Sequence, residues 1–317
     1  MRQAAFLMTM CGCGPLLQCF SRLAGIMAAK PLWVIGFLLL AASINPSAAA
    51  DRYSEGDEKL PVSVSMQLDR LAPQRPGLVD FYAVLVGADG SEAVFDREVQ
   101  EVKTTLEERL DIQGRIVTLV NRKGAAAPQA TLKSLSQTIA AVASRMDVEE
   151  DILFLHITTH GSSDHILTFK HMGHQLYGLN SKYLANALDE ARIRFRVLVV
   201  SACYAGGFVA PFANGNTLAV AAASATSKSY GCGNDSLMTD FSRAFYSNAM
   251  RQQSSIVLAA RQAVRIIQEE ERVSKREHSY PQVHVGPVIA EKLRKFEEQV
   301  KVARQTRLRA RLGLPAQ

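Results

Sequence analysis

Two hydrophobic rhythms alternate along this chain. Short apolar runs with the character of strands stand at Val79–Gly87 (VDFYAVLVG), Arg115–Val120 (RIVTLV), Asp151–Thr159 (DILFLHITT), Phe195–Ala202 (FRVLVVSA) and Thr217–Ala223. The third is apolar on both faces, as a central parallel strand should be. Between them the apolar positions fall three or four apart. Val94–Leu110 has them at 94, 95, 99, 102, 106 and 110, and Thr131–Met146 reads as a second amphipathic helix. Ser181–Arg192 reads as a third, and two more follow at about 236–250 and 254–277. Ile166–Phe169 and Gln175–Tyr177 suggest a small hairpin, and Val283–Val285, after Pro281, a last short strand. Repeated strand–helix units predict an α/β fold: a mostly parallel sheet of about six strands with helices on both faces. The pattern occupies 79–286, so one domain uses all of it. Before it, 51–78 is polar, carries Pro61, Pro73 and Pro76, and reads as an extended N-terminal arm.

Charge changes the picture only at the ends. The net charge is +6, but 51–286 holds 25 bases against 27 acids, while 287–317 holds eight bases and three acids. A nucleic-acid-binding domain is disfavoured, because backbone binding needs a concentrated Lys/Arg surface. Residues 288–312 carry apolar positions at 288, 289, 293, 296, 300, 308 and 312 with bases between them. This basic helical tail either packs on its own domain or touches an anionic membrane surface.

The N-terminal region reads as an address. Lys30 precedes an apolar run of twelve residues, Pro31–Ala42, followed by small residues ending in Ala48-Ala49-Ala50. That is the form of a signal peptide cleaved before Asp51, with Met27 as the natural start. Twelve residues are short for a spanning helix, which needs about 20. The expected location is therefore periplasmic or secreted; the alternative is an uncleaved inner-membrane anchor. Cys11, Cys13 and Cys19 would be lost on cleavage, leaving Cys203 and Cys232.

In sheets of this kind chemistry sits beyond the carboxyl ends of the strands. The third strand ends in Thr158-Thr159-His160-Gly161-Ser162, and the fourth in Ser201-Ala202-Cys203-Tyr204-Ala205-Gly206-Gly207. If those strands are neighbours, His160 and Cys203 share one edge. A thiol near neutral pH needs a base or an electropositive setting to act as a nucleophile, and a His supplies both. The backbone N–H groups of Gly161 and Cys203 are then candidates for an oxyanion site. The competing reading is a buried core thiol and a turn histidine.

These two segments, with Leu218–Ala223, Ser229-Tyr230-Gly231-Cys232 and Thr239–Phe245, resemble the legumain family of cysteine peptidases, peptidase family C13, and in particular its bacterial exported members. The resemblance implies a caspase-like three-layer sandwich. It implies Cys203 as nucleophile, His160 as the imidazole that passes a proton to the leaving amine, and a peptide or protein substrate. It makes Arg97, Ser201 and Ser229 candidate substrate-binding residues, Arg97 and Ser229 near the pocket for the residue before the scissile bond, although Arg97 also reads as an ordinary helix-start charge. The chain departs from the family at Ser201, where legumains carry an acid two residues before the nucleophile, and at Arg243, where they carry an acid in the pocket wall. Asparagine specificity is therefore not implied. A transpeptidase using the same pair and a catalytically silent binding domain are the alternatives. No cofactor is expected. His156, His160, His165, His171 and His174 cluster, but without acidic or Cys ligands at metal-site spacing, so no metal is expected and His156 reads as a core histidine.

Overall fold

The five apolar runs and the short one after Pro281 form a single sheet. The computed structural model describes residues 59–314. The expected signal segment 1–50, the start at Met27 and residues 51–58 of the arm lie outside the described residues. The strands are β1 Phe81–Gly87, β2 Ile116–Val120, β3 Ile152–Thr158, β6 Phe195–Ser201, β7 Thr217–Ala221 and β8 Gln282–Val285, in the order β2-β1-β3-β6-β7-β8. All neighbours are parallel except β7–β8, which is antiparallel. A separate two-stranded hairpin consists of β4 Leu167–His171 and β5 His174–Leu179.

Side-chain alternation divides the core into two. Phe81, Ala83 and Leu85 of β1 face one side, with α2 Ala93–Leu110, α7 Ile256–Ser274 and α8 Pro287–Arg311. Tyr82, Val84 and Val86 face the other, with α1 Val62–Asp69, α3 Leu132–Ala143 and α4 Ser181–Glu190. Both faces are covered, so every residue of β1 and β3 is buried. The result is a three-layer α/β sandwich. Helix starts follow local chemistry: Thr131 and Ser134 form a reciprocal capping box at α3, and Thr239 caps α5 Asp240–Ser242.

Two expectations are corrected. The arm is not extended throughout, because α1 buries Val64 and Leu68, and Leu71 follows them into the core. Gln67 also accepts from the Thr118 N–H at 2.9 Å and donates to its carbonyl at 3.1 Å, closing the free edge of β2. The prolines that suggested an arm bound this helix rather than prevent it, since Pro61 stands at its N-cap. The helix expected at 236–250 is also not uniform. It runs from α5 through a π-helical segment, Arg243–Ala249, into α6 Met250–Gln252.

Of the two readings of the tail, the structure shows the helix packed on its own domain. α8 buries Ile289, Leu293 and Phe296, an i, i+4, i+7 stripe, and Phe296 stacks on Phe81 with ring centroids 4.8 Å apart. Gln299 accepts from the Val79 N–H at 3.2 Å, and Lys292 lies 4.4 Å over the Phe195 ring. Val79 and Phe195 mark the amino ends of their strands. The tail therefore belongs to the domain and lies toward the edge opposite His160 and Cys203.

Candidate active site

Parallel strands carry their carboxyl ends to one edge, and here register makes the coincidence close. Thr158 pairs with Ser201 across β3 and β6, and Gly87 pairs with Thr158 across β1 and β3. The Thr159 N–H donates to the Ser201 carbonyl at 3.2 Å. His160-Gly161 and Ala202-Cys203 thus leave the sheet side by side.

The hairpin fixes the histidine loop. The Thr168 N–H donates to the His160 carbonyl at 2.9 Å, the Ser162 N–H to the Ile166 carbonyl at 3.0 Å, and Thr159 Oγ1 to the Thr168 carbonyl at 2.5 Å. The half-buried His160 ring meets the edge of Phe95, from α2, with centroids 5.2 Å apart and planes at 89°. Gly161 is pressed against the other loop: a Cβ placed on it would lie 2.1 Å from the Cys203 carbonyl oxygen and 3.4 Å from Ala202 Cβ. Backbone cannot give way as a flexible side chain does. Gly161→Ala is therefore expected to cost at least about 2 kcal/mol of stability in urea unfolding, at the upper side of ordinary overpacking. A change below about 0.5 kcal/mol, the level of a neutral surface substitution, would show that the two loops part easily.

Cys203 is half-buried and followed by Tyr204 in the left-handed region, φ 56°, a sharp turn whose N–H donates to the Ser227 carbonyl at 2.8 Å. Its sulfur sits against Ser229, 3.4 Å from the backbone N, 3.8 Å from Oγ and 3.6 Å from the carbonyl oxygen. Among the described residues, the N–H groups of Gly161 and Cys203 have no protein acceptor. Cys232 is also a free thiol. Burial, and then the neighbouring Cys203, push its pKa up. His165 lies over the turn beyond Cys203, where a Cβ on Gly207 would fall 2.2 Å from its Cγ.

Beneath these loops lies a polar network that the apolar patterns do not reveal. The Glu98 carboxylate, fully buried on α2, accepts from the Thr239 N–H at 2.9 Å, Ser242 Oγ at 2.6 Å and His156 Nε2 at 3.1 Å. A carboxylate only accepts, so Nε2 carries a proton. Tyr246 Oη is 3.0 Å from His156 Nδ1. Burial alone would raise the Glu98 carboxyl, but the bonds from His156, Ser242 and Thr239 outweigh it and hold the pKa below the ordinary value. Burial, and then the Glu98 charge, keep the Tyr246 hydroxyl well above its usual range. His156 is thus a satisfied core histidine. Among the described residues no group of three or more His, Cys, Asp or Glu side chains is arranged to hold a metal ion.

The residues singled out from the sequence divide. His160, Gly161, Cys203 and Ser229 come together. Ser201 is turned inward: it is 1% exposed and its Oγ lies 2.8 Å from Thr239 Oγ1, joining the network instead. Arg97 is tied down, donating to the carbonyls of Asn234 at 2.6 Å and Ser236 at 2.5 Å. It lines a hollow of about 710 Å³ with Gln100, Leu237, Asp240 and Arg243, and that lining includes neither Cys203 nor His160. Arg243 forms a two-pronged pair with Glu270, and Asp240 pairs with Arg276 at 2.8 Å. Glu98, Thr239 and Phe95 were missed. The only available signal was an acid at 98 between the core positions 95, 99 and 102 of one helix.

The Peptidase C13 family profile matches residues 136–285 of this chain. No curated protein matches the chain. The fold is similar to the crystal structure of caspase-1 from Spodoptera frugiperda, with 12% sequence identity, a TM-score of 0.46, and coverage of 68% of this chain and 94% of that one. The family segment omits β1, α2 and α8, whose side chains complete the core on one face of the sheet.

Proposed function

We propose that the chain is a cysteine endopeptidase acting through Cys203 and His160. The observation that carries this reading is the Thr158–Ser201 register, which brings His160-Gly161 and Cys203 out of neighbouring strands in mutual contact. The Cys203 sulfur attacks the scissile carbonyl carbon and forms a C–S bond. The carbonyl oxygen becomes an oxyanion facing the N–H groups of Gly161 and Cys203. The C–N bond then breaks as His160 delivers a proton to the leaving amine, which leaves a thioester on Cys203. Water attacks the thioester with His160 taking its proton. The thiolate departs and the carboxylic acid product is released. Ser229 borders the sulfur and is the residue placed to touch substrate there. Ser201 and Arg97, engaged elsewhere, are not assigned to binding.

The mature chain is proposed to be exported, on the apolar run Pro31–Ala42 and the Ala48-Ala49-Ala50 end. Among the described residues no helix is long and apolar enough to cross a membrane. One experiment tests both readings. A peptide carrying an electrophilic group is incubated with protein purified from its producing cell, and the intact and digested masses are measured. The expected result is one adduct on Cys203, absent after iodoacetamide and insensitive to EDTA, on a chain beginning at Asp51. Labelling confined to Cys232, or abolished by EDTA, would defeat the enzymatic reading. A chain that retains residues before Asp51 would defeat the cleavage.

A further inference from the structure

One turn of α2 reaches both reacting residues. Phe95 braces the His160 ring edge-on at 5.2 Å. Glu98, three residues later, holds Thr239 and Ser242, the N-cap and the last residue of α5, through its buried carboxylate. The Thr239 hydroxyl then meets Ser201 Oγ at 2.8 Å, and Ser201 is the last residue of β6, two before Cys203. Ser201 and Thr239 are buried, as are Glu98, His156, Ser242 and Tyr246. Placing a carboxylate and several hydroxyls where apolar side chains would pack is costly unless every group is paired. Here the pairing is complete around Glu98: its two oxygens take three donors, and His156 is held on its far side by Tyr246. Such a network has one low-energy arrangement, so it transmits position where an oily contact would slide.

We propose that Glu98 is a positioning residue for the Cys203–His160 pair, acting through Thr239 and Ser201 on the strand end that presents Cys203. This rests on the peptidase reading above for its purpose, but not for its test. The chain of bonds predicts which substitutions matter. Ser201→Ala removes only the last link and leaves Thr239 Oγ1 capping the Ser242 N–H at 3.3 Å. Thr239→Val removes the same link from the other side, and Thr239→Ser keeps it. Glu98→Gln removes the charge that gathers the network.

The test uses full-length protein and two readouts. The first is the iodoacetamide alkylation rate of Cys203 divided by that of Cys232 in the same molecule, from peptide masses. Cys232 is partly buried and lies outside the chain of bonds, so general loosening raises its rate and is divided out. The second is kcat and KM on a peptide substrate. Ser201→Ala and Thr239→Val are expected to lower the alkylation ratio and kcat by about tenfold, the scale of a sub-ångström misplacement, with KM within about twofold. Thr239→Ser should stay within about threefold of the parent protein, and Glu98→Gln should shift the ratio as Ser201→Ala does. If Glu98→Gln does not fold, the other three variants still decide the matter. A ratio that is unchanged or rises in folded Ser201→Ala and Thr239→Val overturns the proposal, whatever the melting temperature does. A ratio that falls in a protein without peptidase turnover would uphold the positioning role and reject the enzymatic one.

Discussion

Cys203→Ala is expected to remove turnover by a factor of about 10³ or more while leaving the unfolding midpoint close to that of the parent. In the proposed mechanism the sulfur is the atom that bonds to substrate, and a methyl group cannot replace it. The structural cost is small because, among the described residues, the sulfur's hydrogen bonds are long, 3.4–3.8 Å, and all to Ser229. His160→Ala is expected to lose a similar factor, since in that mechanism the thioester does not form unless the leaving amine receives a proton. The double variant should be scarcely slower than either single one, because residues that act as a unit do not add. Steady-state rates on one peptide, with active sites counted by the electrophilic probe, provide the measurement. Substantial turnover in Cys203→Ala would end the cysteine-peptidase reading. Additive losses in the double variant would mean that the two residues act in separate steps.

Truncation after Gly286 is expected to abolish folding, contrary to what a basic tail outside the strand pattern suggests. Ile289 and Leu293 are fully buried and Phe296 is 3% exposed, packed on Phe81 of the central sheet. At about 1.5–3 kcal/mol for each buried side chain of this size, the loss is roughly 5–9 kcal/mol. Net stabilities of domains run about 5–15 kcal/mol, so little or nothing would remain. Two polar ties go as well: Glu297 accepts from the Ile256 N–H at the start of α7, and Gln299 accepts from the Val79 N–H. Circular dichroism and limited proteolysis of chains ending at 286 and at 314 give a direct comparison. A chain ending at 286 that unfolds cooperatively within about 1 kcal/mol of the longer one would show that the stripe on α8 is dispensable, the magnitude of an ordinary surface change.

The candidate site was legible because its carriers are local. A strand apolar on both faces, ended by His160-Gly161 or by Ala202-Cys203, reports from a few consecutive residues that something reactive stands at the edge of a parallel sheet. Neighbouring order was then one assumption, and the pairing of β3 with β6 met it. Gly161 needed no alignment to be noticed, but its reason did: the Cys203 carbonyl that excludes a Cβ is 42 positions along the chain. The arm misled, and the tail stayed between two readings, for a related reason. Eight bases in 287–317 outweigh by eye the three apolar residues that the helix turns inward, and Pro61, Pro73 and Pro76 conceal the eight-residue helix between the first two of them.

By itself, then, the sequence determined the alternation of strands and helices, the two-sided burial of the sheet, and the edge on which His160 and Cys203 stand. Periods of two and of three to four residues, and the residues that end a strand, are properties of short windows. Only the tertiary structure decided what holds those residues still. Glu98 meets His156 across 58 positions and the Thr239 N–H across 141, and Ser201 meets Thr239 across 38. No window spans such pairs. Whether a buried serine or glutamate is a binding group or an internal brace depends on which donors and acceptors the closed chain brings within 3 Å of it, and the hydrophobic pattern that drives closure carries no record of them.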